Sequence, residues 1–142
     1  MSAPASVAKP ANHIIATWKG EQAFDAGRPG GPVSRIDGNA LSGPSPVDTL
    51  LSALAACAAI DVVEILKKRR TPVASLEVEA AGTRVDAVPR RLTHVRLLFH
   101  ITGAGIEREQ AARAIELSIT KYCSVRDSLD PAITIEWELD LH

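Results

Sequence analysis

The feature that most constrains the fold is an apolar stretch from Leu50 to Leu66, rich in alanine, leucine and valine. Three polar residues interrupt it, namely Ser52, Asp61 and Glu64. A membrane span needs roughly 20 predominantly apolar residues, and this stretch falls short of that requirement. We therefore predict a helix in the core of a globular domain, and no association with a membrane.

Sequence signals at both ends predict how far this helix extends. Ser45 suits the N-cap, and Pro46 suits the first helical turn because no hydrogen-bond donor is lost there. Thr71-Pro72 is expected to end the helix, because the residue before a proline disfavours helical backbone angles. The helix is therefore expected to run from the Ser45 cap to about Arg69 or Arg70.

The middle of the predicted helix is apolar on nearly every side, so it has to be covered all round. One sheet and one other helix, which is what 142 residues can supply, would cover about two sides. The alanine-rich segment 53–59 would let a second helix approach closely. We predict a homodimer with this helix at its centre. The alternative is a monomer whose sheet curls around the helix.

Around this helix, the sequence predicts several strands and a second helix. Apolar residues at every second position indicate strands covered on one face, and an apolar stripe at helical spacing indicates an amphipathic helix. Together they predict an α+β fold, with antiparallel sheets packed on the long helix in a single domain spanning residues 1–142. The predicted strands are 13–18, 21–25, 33–36, 76–80, 94–101 and 133–141, and the second helix is 107–122.

The charge balance excludes some classes of partner. Lys and Arg total 16 against 17 Asp and Glu, so there is no electrostatic reason to expect nucleic acid or an anionic membrane. The basic run 67–70 falls at the end of the long helix, where it complements the helix dipole and faces solvent. Two cysteines cannot form a secreted disulfide framework, and no charged-then-apolar leader opens the sequence. We expect a cytoplasmic protein.

Two thiols are the candidates for chemistry. Cys57 lies in the alanine-rich part of the long helix, and Cys123 follows the second helix. On composition alone, a cysteine in such a helix is a small inert apolar residue. Neither thiol has a second Cys or His at ligand spacing, so we expect no metal site.

The sequences around both thiols resemble those of one family. The segments SPVDTLL (45–51), AAC (55–57) and IDVV (60–63) resemble the long helix of the OsmC/Ohr family. The segment KYCSV (121–125), followed by Leu129 and a final strand, resembles the second cysteine motif of that family. The two motifs occur in the family's order, with Cys57 and Cys123 separated by 66 residues. The resemblance covers the chain from about Gly43 onwards.

The resemblance implies an intertwined homodimer that reduces organic hydroperoxides with thiols and needs no cofactor. Cys57 would be the peroxidatic cysteine, which attacks the peroxide and becomes a sulfenic acid. Cys123 would be the resolving cysteine, which condenses with it to a disulfide that an external dithiol then reduces. An apolar pocket between subunits would favour alkyl or fatty-acid peroxides over hydrogen peroxide.

Such a mechanism needs a cation near Cys57, because apolar surroundings disfavour a thiolate. Enzymes of the family use an arginine from the N-terminal part, held by a glutamate ten residues before the peroxidatic cysteine. The present chain has Val47 at that position, and the neighbouring Asp48 points about 100° away along a helix. Arg35, in a short predicted strand, is the favoured arginine, and Arg28 is the alternative.

Asp61, His94 and His100 are three further titratable residues whose positions can be predicted. Asp61 lies one turn beyond Cys57 on the same helix face, where a bare carboxylate would oppose a thiolate unless it held a cation, an arginine or a histidine of the other subunit for example. His94 and His100 fall on the polar side of their strand and are expected to be exposed rather than catalytic. Val47, in place of the family's glutamate, favours a second function. In that reading the protein binds an apolar or acyl ligand at the dimer interface, without catalysis.

Overall fold

The computed structural model describes residues 10–142, which form two compact units. The first ends at Thr49, and the second runs from Leu50 to His142. Each unit contains one three-stranded sheet. In chain order the elements are β1 (Ile15–Gly20), β2 (Ala23–Gly27), β3 (Ser34–Asp37), α1 (Pro46–Lys68), β4 (Ser75–Arg84), β5 (Leu92–Thr102), α2 (Arg108–Leu117), a π-helix (Ser118–Tyr122), α3 (Ser124–Asp127) and β6 (Thr134–Leu141).

The first unit is an antiparallel meander of β1, β2 and β3. Its three strands occupy the regions predicted from the sequence, but the first turn lies slightly later than the expected Lys19-Gly20 position. Gly20 has a φ of 114° and Glu21 a φ of 47°, so the bend falls after Gly20. The β2–β3 register places Asp25 opposite Arg35.

A carboxylate organises the loop that follows β3. Asp37 is 5% exposed, and it accepts hydrogen bonds from the backbone N–H groups of Asn39, Leu41 and Ser42 and from the Ser42 hydroxyl. These donors, the Ser42 N–H foremost, stabilise the charged form and lower the pKa of Asp37 from 3.8 to about 2. The loop that leads to α1 is therefore held by one ionised side chain.

Both ends of α1 have clear physical causes. Ser45 and Asp48 form a reciprocal pair, in which the Asp48 N–H donates to Ser45 Oγ and the Ser45 N–H donates to Asp48 Oδ2, both at 3.1 Å. At the other end, Arg70 has a φ of 64° and its N–H donates to the carbonyl of Lys67. The N–H of Thr71 donates to the carbonyl of Leu66, which completes a Schellman ending. The helix limits predicted from the sequence are confirmed to within two residues.

Within the described residues, α1 is buried along one side. The buried residues recur every four positions, at Leu54, Ala58, Val62 and Leu66, whereas Ile60 is 62% exposed. By length and composition alone, α1 is also long and apolar enough to cross a membrane. The core helices of water-soluble proteins can be equally long and apolar, so the predicted core location stays a prediction.

The second sheet has the order β4-β5-β6 and is mixed. β4 pairs with β5 in the antiparallel direction, as predicted, but β5 pairs with β6 in the parallel direction. The prediction of purely antiparallel sheets was wrong here. Residues 103–133, which include α2, the π-helix and α3, form a crossover that returns the chain to the end at which β5 began. The α+β fold itself is confirmed.

The two faces of this sheet differ in polarity. Val95, Leu97, Phe99 and Ile101 of β5 are fully buried on one face. The opposite face carries ion pairs between neighbouring strands: His94 with Glu136, Arg96 with Glu138, and His100 with both Glu79 and Asp140. The apolar face is therefore the one that builds the core of the second unit.

We predict that Asp37→Asn destabilises the protein at neutral pH and that this effect fades in acid. The low pKa in the folded state means that ionised Asp37 favours folding above about pH 4, and that this contribution is lost as the pH falls towards 2. Urea unfolding of both proteins at pH 7 and at about pH 2.5 measures the difference. The exposed Asp86→Asn serves as control. An equal difference at both pH values would contradict the prediction.

Candidate thiol site

The second thiol is positioned by a π-helix that the sequence did not predict. The expected helix 107–122 is α-helical only to Leu117, and Ser118–Tyr122 then form one π-helical segment. It closes with the Cys123 N–H donating to the Ser118 carbonyl at 2.7 Å, a bond that spans five residues. Such segments inside helices often occur at functional sites. The widened turn ends the helix at Cys123.

Cys123 then begins the next helix. Its backbone is extended, and its Sγ accepts a hydrogen bond of 3.4 Å from the N–H of Arg126, so the thiol is the N-cap of α3. The side chain is buried, with 3% exposure for the residue. Cys123 thus has a fixed orientation, with its sulfur facing the start of a short helix.

Ser118 ties this segment to the helix that carries the first thiol. Its hydroxyl is fully buried and lies 3.0 Å from the carbonyl of Ala58 and 3.0 Å from Oδ2 of Asp61. One hydroxyl proton is shared between two acceptors on α1. Because Ala58 follows Cys57 and the Ser118 carbonyl binds Cys123, one serine connects the backbones around both thiols.

The two thiols come together. Cys57 is half-buried and lies near enough to Cys123 to influence the pKa of that thiol, and neither is in a disulfide. Burial raises the pKa of Cys123 to about 11, and the neighbouring Cys57 raises it further, against the opposing N–H groups of Arg126 and Val125. Cys123 is therefore a protonated thiol at neutral pH.

A groove of about 520 Å³ opens beside Cys123. The guanidinium of Arg126 on its wall donates to the carbonyls of Asp130 and Ile133 at 3.2 and 3.0 Å. The groove mixes apolar and charged side chains, so it suits a ligand with an apolar body and a polar end. Its lining residues are Ile119, Thr120, Lys121, Cys123, Arg126, Asp127, Leu129, Pro131 and Ile135.

A comparison with known families decides the identity of the fold. The family model for OsmC-like protein matches residues 37–138, which include α1 and both cysteines. The chain belongs to the OsmC-like family. Protein YhfA of Escherichia coli strain K12 is 43% identical over 101 residues, which cover 70% of this chain and 75% of YhfA.

Solved structures agree with this OsmC-like fold. An OsmC-like protein from Mycoplasma pneumoniae matches with a TM-score of 0.78 and 17% identity, over 95% of this chain and 99% of the other. The organic hydroperoxide resistance protein OhrB of Bacillus subtilis matches with a TM-score of 0.61 and 14% identity, over 90% and 96%. At these identities the likeness shows a shared fold.

Arg35, the predicted cation of the OsmC-like site, lies in the first unit, where it is paired with the carboxylate of Asp25. Its Nε donates to Asp25 Oδ1 at 2.6 Å, and its Nη1 donates to the Ser42 hydroxyl at 3.2 Å. The pair lowers the pKa of Asp25. Asp48, the other carboxylate weighed from the sequence, is engaged at the N-terminus of α1. Arg28, the alternative cation, lies in the exposed loop after β2.

The remaining predicted residues fall in two places. Asp61 accepts a hydrogen bond from the Ser118 hydroxyl. That it also binds an arginine or a histidine of another subunit stays a prediction. His94 and His100 lie on the polar face of the second sheet in ion pairs, partly exposed, with side-chain exposures of 35% and 30%. Their ion-pair partners, Glu136, Glu79 and Asp140, lie on that sheet face and outside the thiol site.

Sequence reasoning missed Ser118 and Asp25. Ser118 continues the buried stripe of Ala111, Ala114 and Ile115, so a polar residue in phase with an apolar stripe was the available signal. Asp25 gave no such signal, because its pairing with Arg35 depends on the strand register.

We predict that Ser118→Ala lowers the free energy of unfolding by roughly 1 kcal/mol, the usual net value of one hydrogen bond. The exposed Ser124→Ala is the matched control, with a change expected within about 0.5 kcal/mol. Chemical denaturation of the three proteins measures both differences. If the two variants were equally stable, the Ser118 hydroxyl would not be holding α1 to the π-helix.

Proposed function

We propose that this OsmC-like protein is a thiol-dependent peroxidase that reduces organic hydroperoxides, with Cys57 as the peroxidatic and Cys123 as the resolving cysteine. The observation that carries the proposal is the pair of neighbouring free thiols, brought together from α1 and from the end of the π-helix. Two cysteines distant in the sequence need no contact for packing alone, whereas disulfide formation requires it.

The proposed chemistry balances without a cofactor. The Cys57 thiolate attacks the terminal oxygen of a hydroperoxide, the O–O bond breaks, and the departing alkoxide takes a proton to become an alcohol. Cys57 is now a sulfenic acid. The Cys123 sulfur then attacks Cys57 Sγ, so that an S–S bond forms and the S–O bond breaks with release of water. An external dithiol reduces the disulfide by exchange.

The difference between the thiols supports the order of these roles. Cys123 is buried, and its pKa of about 11 keeps it protonated at neutral pH, which makes it a poor first nucleophile. Cys57 is the more exposed of the two. A sulfenic acid formed at Cys57 would meet a fixed sulfur nearby, which favours condensation over further oxidation.

A charged pair in the first unit supplies the proposed activating cation. The OsmC/Ohr resemblance calls for an arginine held by a glutamate, and Val47 occupies the position of that glutamate. We propose that Asp25 replaces it, since its carboxylate binds Arg35 across the β2–β3 pair. A guanidinium held in place loses little side-chain entropy when it meets an anion.

The proposed assembly is a homodimer in the cytoplasm, with the exposed side of α1 at its interface. Apolar residues on that side, including Ala56 and the 62% exposed Ile60, border a groove of about 380 Å³. Alanines would let the same helix of a second copy approach closely, and its burial would cover the apolar side. We propose no nucleic acid and no membrane as partner.

One departure from the family pattern favours a second function. Val47 removes the carboxylate expected of the family, and the groove beside Cys123 has apolar walls at Ile119, Leu129 and Ile135. In this alternative the protein binds an apolar or acyl ligand without turning it over, and the thiols serve redox sensing or packing. Peroxide turnover distinguishes the two functions.

We predict that the purified protein with dihydrolipoamide consumes cumene hydroperoxide and that Cys57→Ser abolishes this activity. Without added dithiol, Cys123→Ser is expected to give one stoichiometric turnover and then stop, with a sulfenic acid on Cys57 that a dimedone probe labels. Peroxide loss and mass spectrometry measure these outcomes. A wild-type rate equal to that of Cys57→Ser would reject the peroxidase in favour of the ligand-binding alternative.

We predict that Arg35→Ala slows alkylation of Cys57 at pH 7 by tenfold or more, measured with iodoacetamide in a Cys123→Ser background. The guanidinium would stabilise the thiolate, which is the reactive form. Asp25→Asn should slow alkylation less, because the guanidinium remains but is no longer held. Arg28→Ala is the matched control. If Arg28→Ala alone slowed the reaction, Arg28 would be the cation instead.

A further inference from the structure

Two imidazoles and a carboxylate converge on the polar face of the second sheet, where β6 ends. Oδ2 of Asp140 lies 2.9 Å from Nδ1 of His100 and 3.0 Å from Nε2 of His142. One ligand atom from each of these residues lies within 4.8 Å of the other two. Three potential metal-ligating atoms are thus gathered around one small volume.

The backbone itself brings these side chains together. His100 of β5 lies directly opposite Asp140 in the parallel pairing with β6. His142 follows the last residue of β6, and its N–H still donates to the Ile101 carbonyl of β5 at 2.9 Å, so Asp140 and His142, two residues apart, lie on the same face. Two of the three side chains therefore come from paired strands rather than from a loop, as a preformed site requires.

A fourth side chain fixes the orientation of His100. Oε2 of Glu79 on β4 lies 2.7 Å from Nε2 of His100, on the ring nitrogen that faces away from Asp140. Metal-binding histidines usually donate their outer N–H to a carboxylate in this way, which leaves the other nitrogen with a lone pair for the metal. The neighbouring His94 pairs with Glu136 at 3.1 Å and belongs to no such group of three ligand residues in the part of the chain that the structure describes.

We propose that His100, Asp140 and His142 form a binding site for one divalent transition-metal ion, with zinc as the best match. Imidazole and carboxylate ligands suit zinc, and three protein ligands leave a fourth position for water. His142 is 62% exposed, so this position is open to solvent. The site is independent of the thiol chemistry. It departs from the expectation of no metal, which considered only the thiols.

Zinc titration of a Cys57→Ser/Cys123→Ser protein tests the site, because the two thiols would otherwise bind zinc themselves. Calorimetry is expected to show one zinc per chain. His100→Gln and His142→Gln should each remove this binding, and Glu79→Gln should weaken it by about tenfold or more. His94→Gln, on the same strand and face, is the matched control and should bind zinc as the parent does.

Cobalt provides a second measurement that works on the wild-type chain. Co²⁺ should give the wild-type chain ligand-field bands that persist in the Cys57→Ser/Cys123→Ser protein, where no cobalt–thiolate charge-transfer absorption can arise. Zinc binding that survives in both His100→Gln and His142→Gln would overturn the proposal. So would the lack of a stoichiometric zinc complex, loss of binding in His94→Gln, or a cobalt spectrum with thiolate bands alone.

Discussion

The arrangement of the thiols depends on one buried hydroxyl. Ser118 binds the carbonyl of Ala58 and the carboxylate of Asp61 on α1, while its own carbonyl accepts the N–H of Cys123. A polar group fully buried in a core destabilises the fold unless its hydrogen bonds are made. This requirement fixes the π-helix against α1, and the position of the helix fixes Cys123 beside Cys57.

The crossover between β5 and β6 explains how the second thiol reaches that place. A parallel strand pair needs a long connection, and residues 103–133 supply it with three helical segments. The π-helix interrupts this connection and α3 restarts it, with Cys123 at the junction. The connection thus both completes the sheet and presents a thiol at a helix N-terminus.

The sequence predicted elements whose signals are local, and missed features that depend on pairing. Its apolar run and caps located α1, since the Ser45–Asp48 pair and the Thr71-Pro72 stop act within a few residues. It could not reveal the parallel pairing of β6, because alternation is the same in either direction. The π-helix was also hidden, since five residues of apolar spacing do not distinguish it from an α-helix.

Unequal surroundings give the two thiols different chemistry. In the described chain, the influences that stabilise a thiolate at Cys123 are backbone N–H groups at the start of α3, and burial outweighs them. A helix of four residues has a weak dipole, which adds little to the stabilisation of a thiolate. The chain's candidate activating pair, Arg35 with Asp25, lies in the other unit. The more exposed Cys57 is accordingly the thiol to which a substrate would have the easier access.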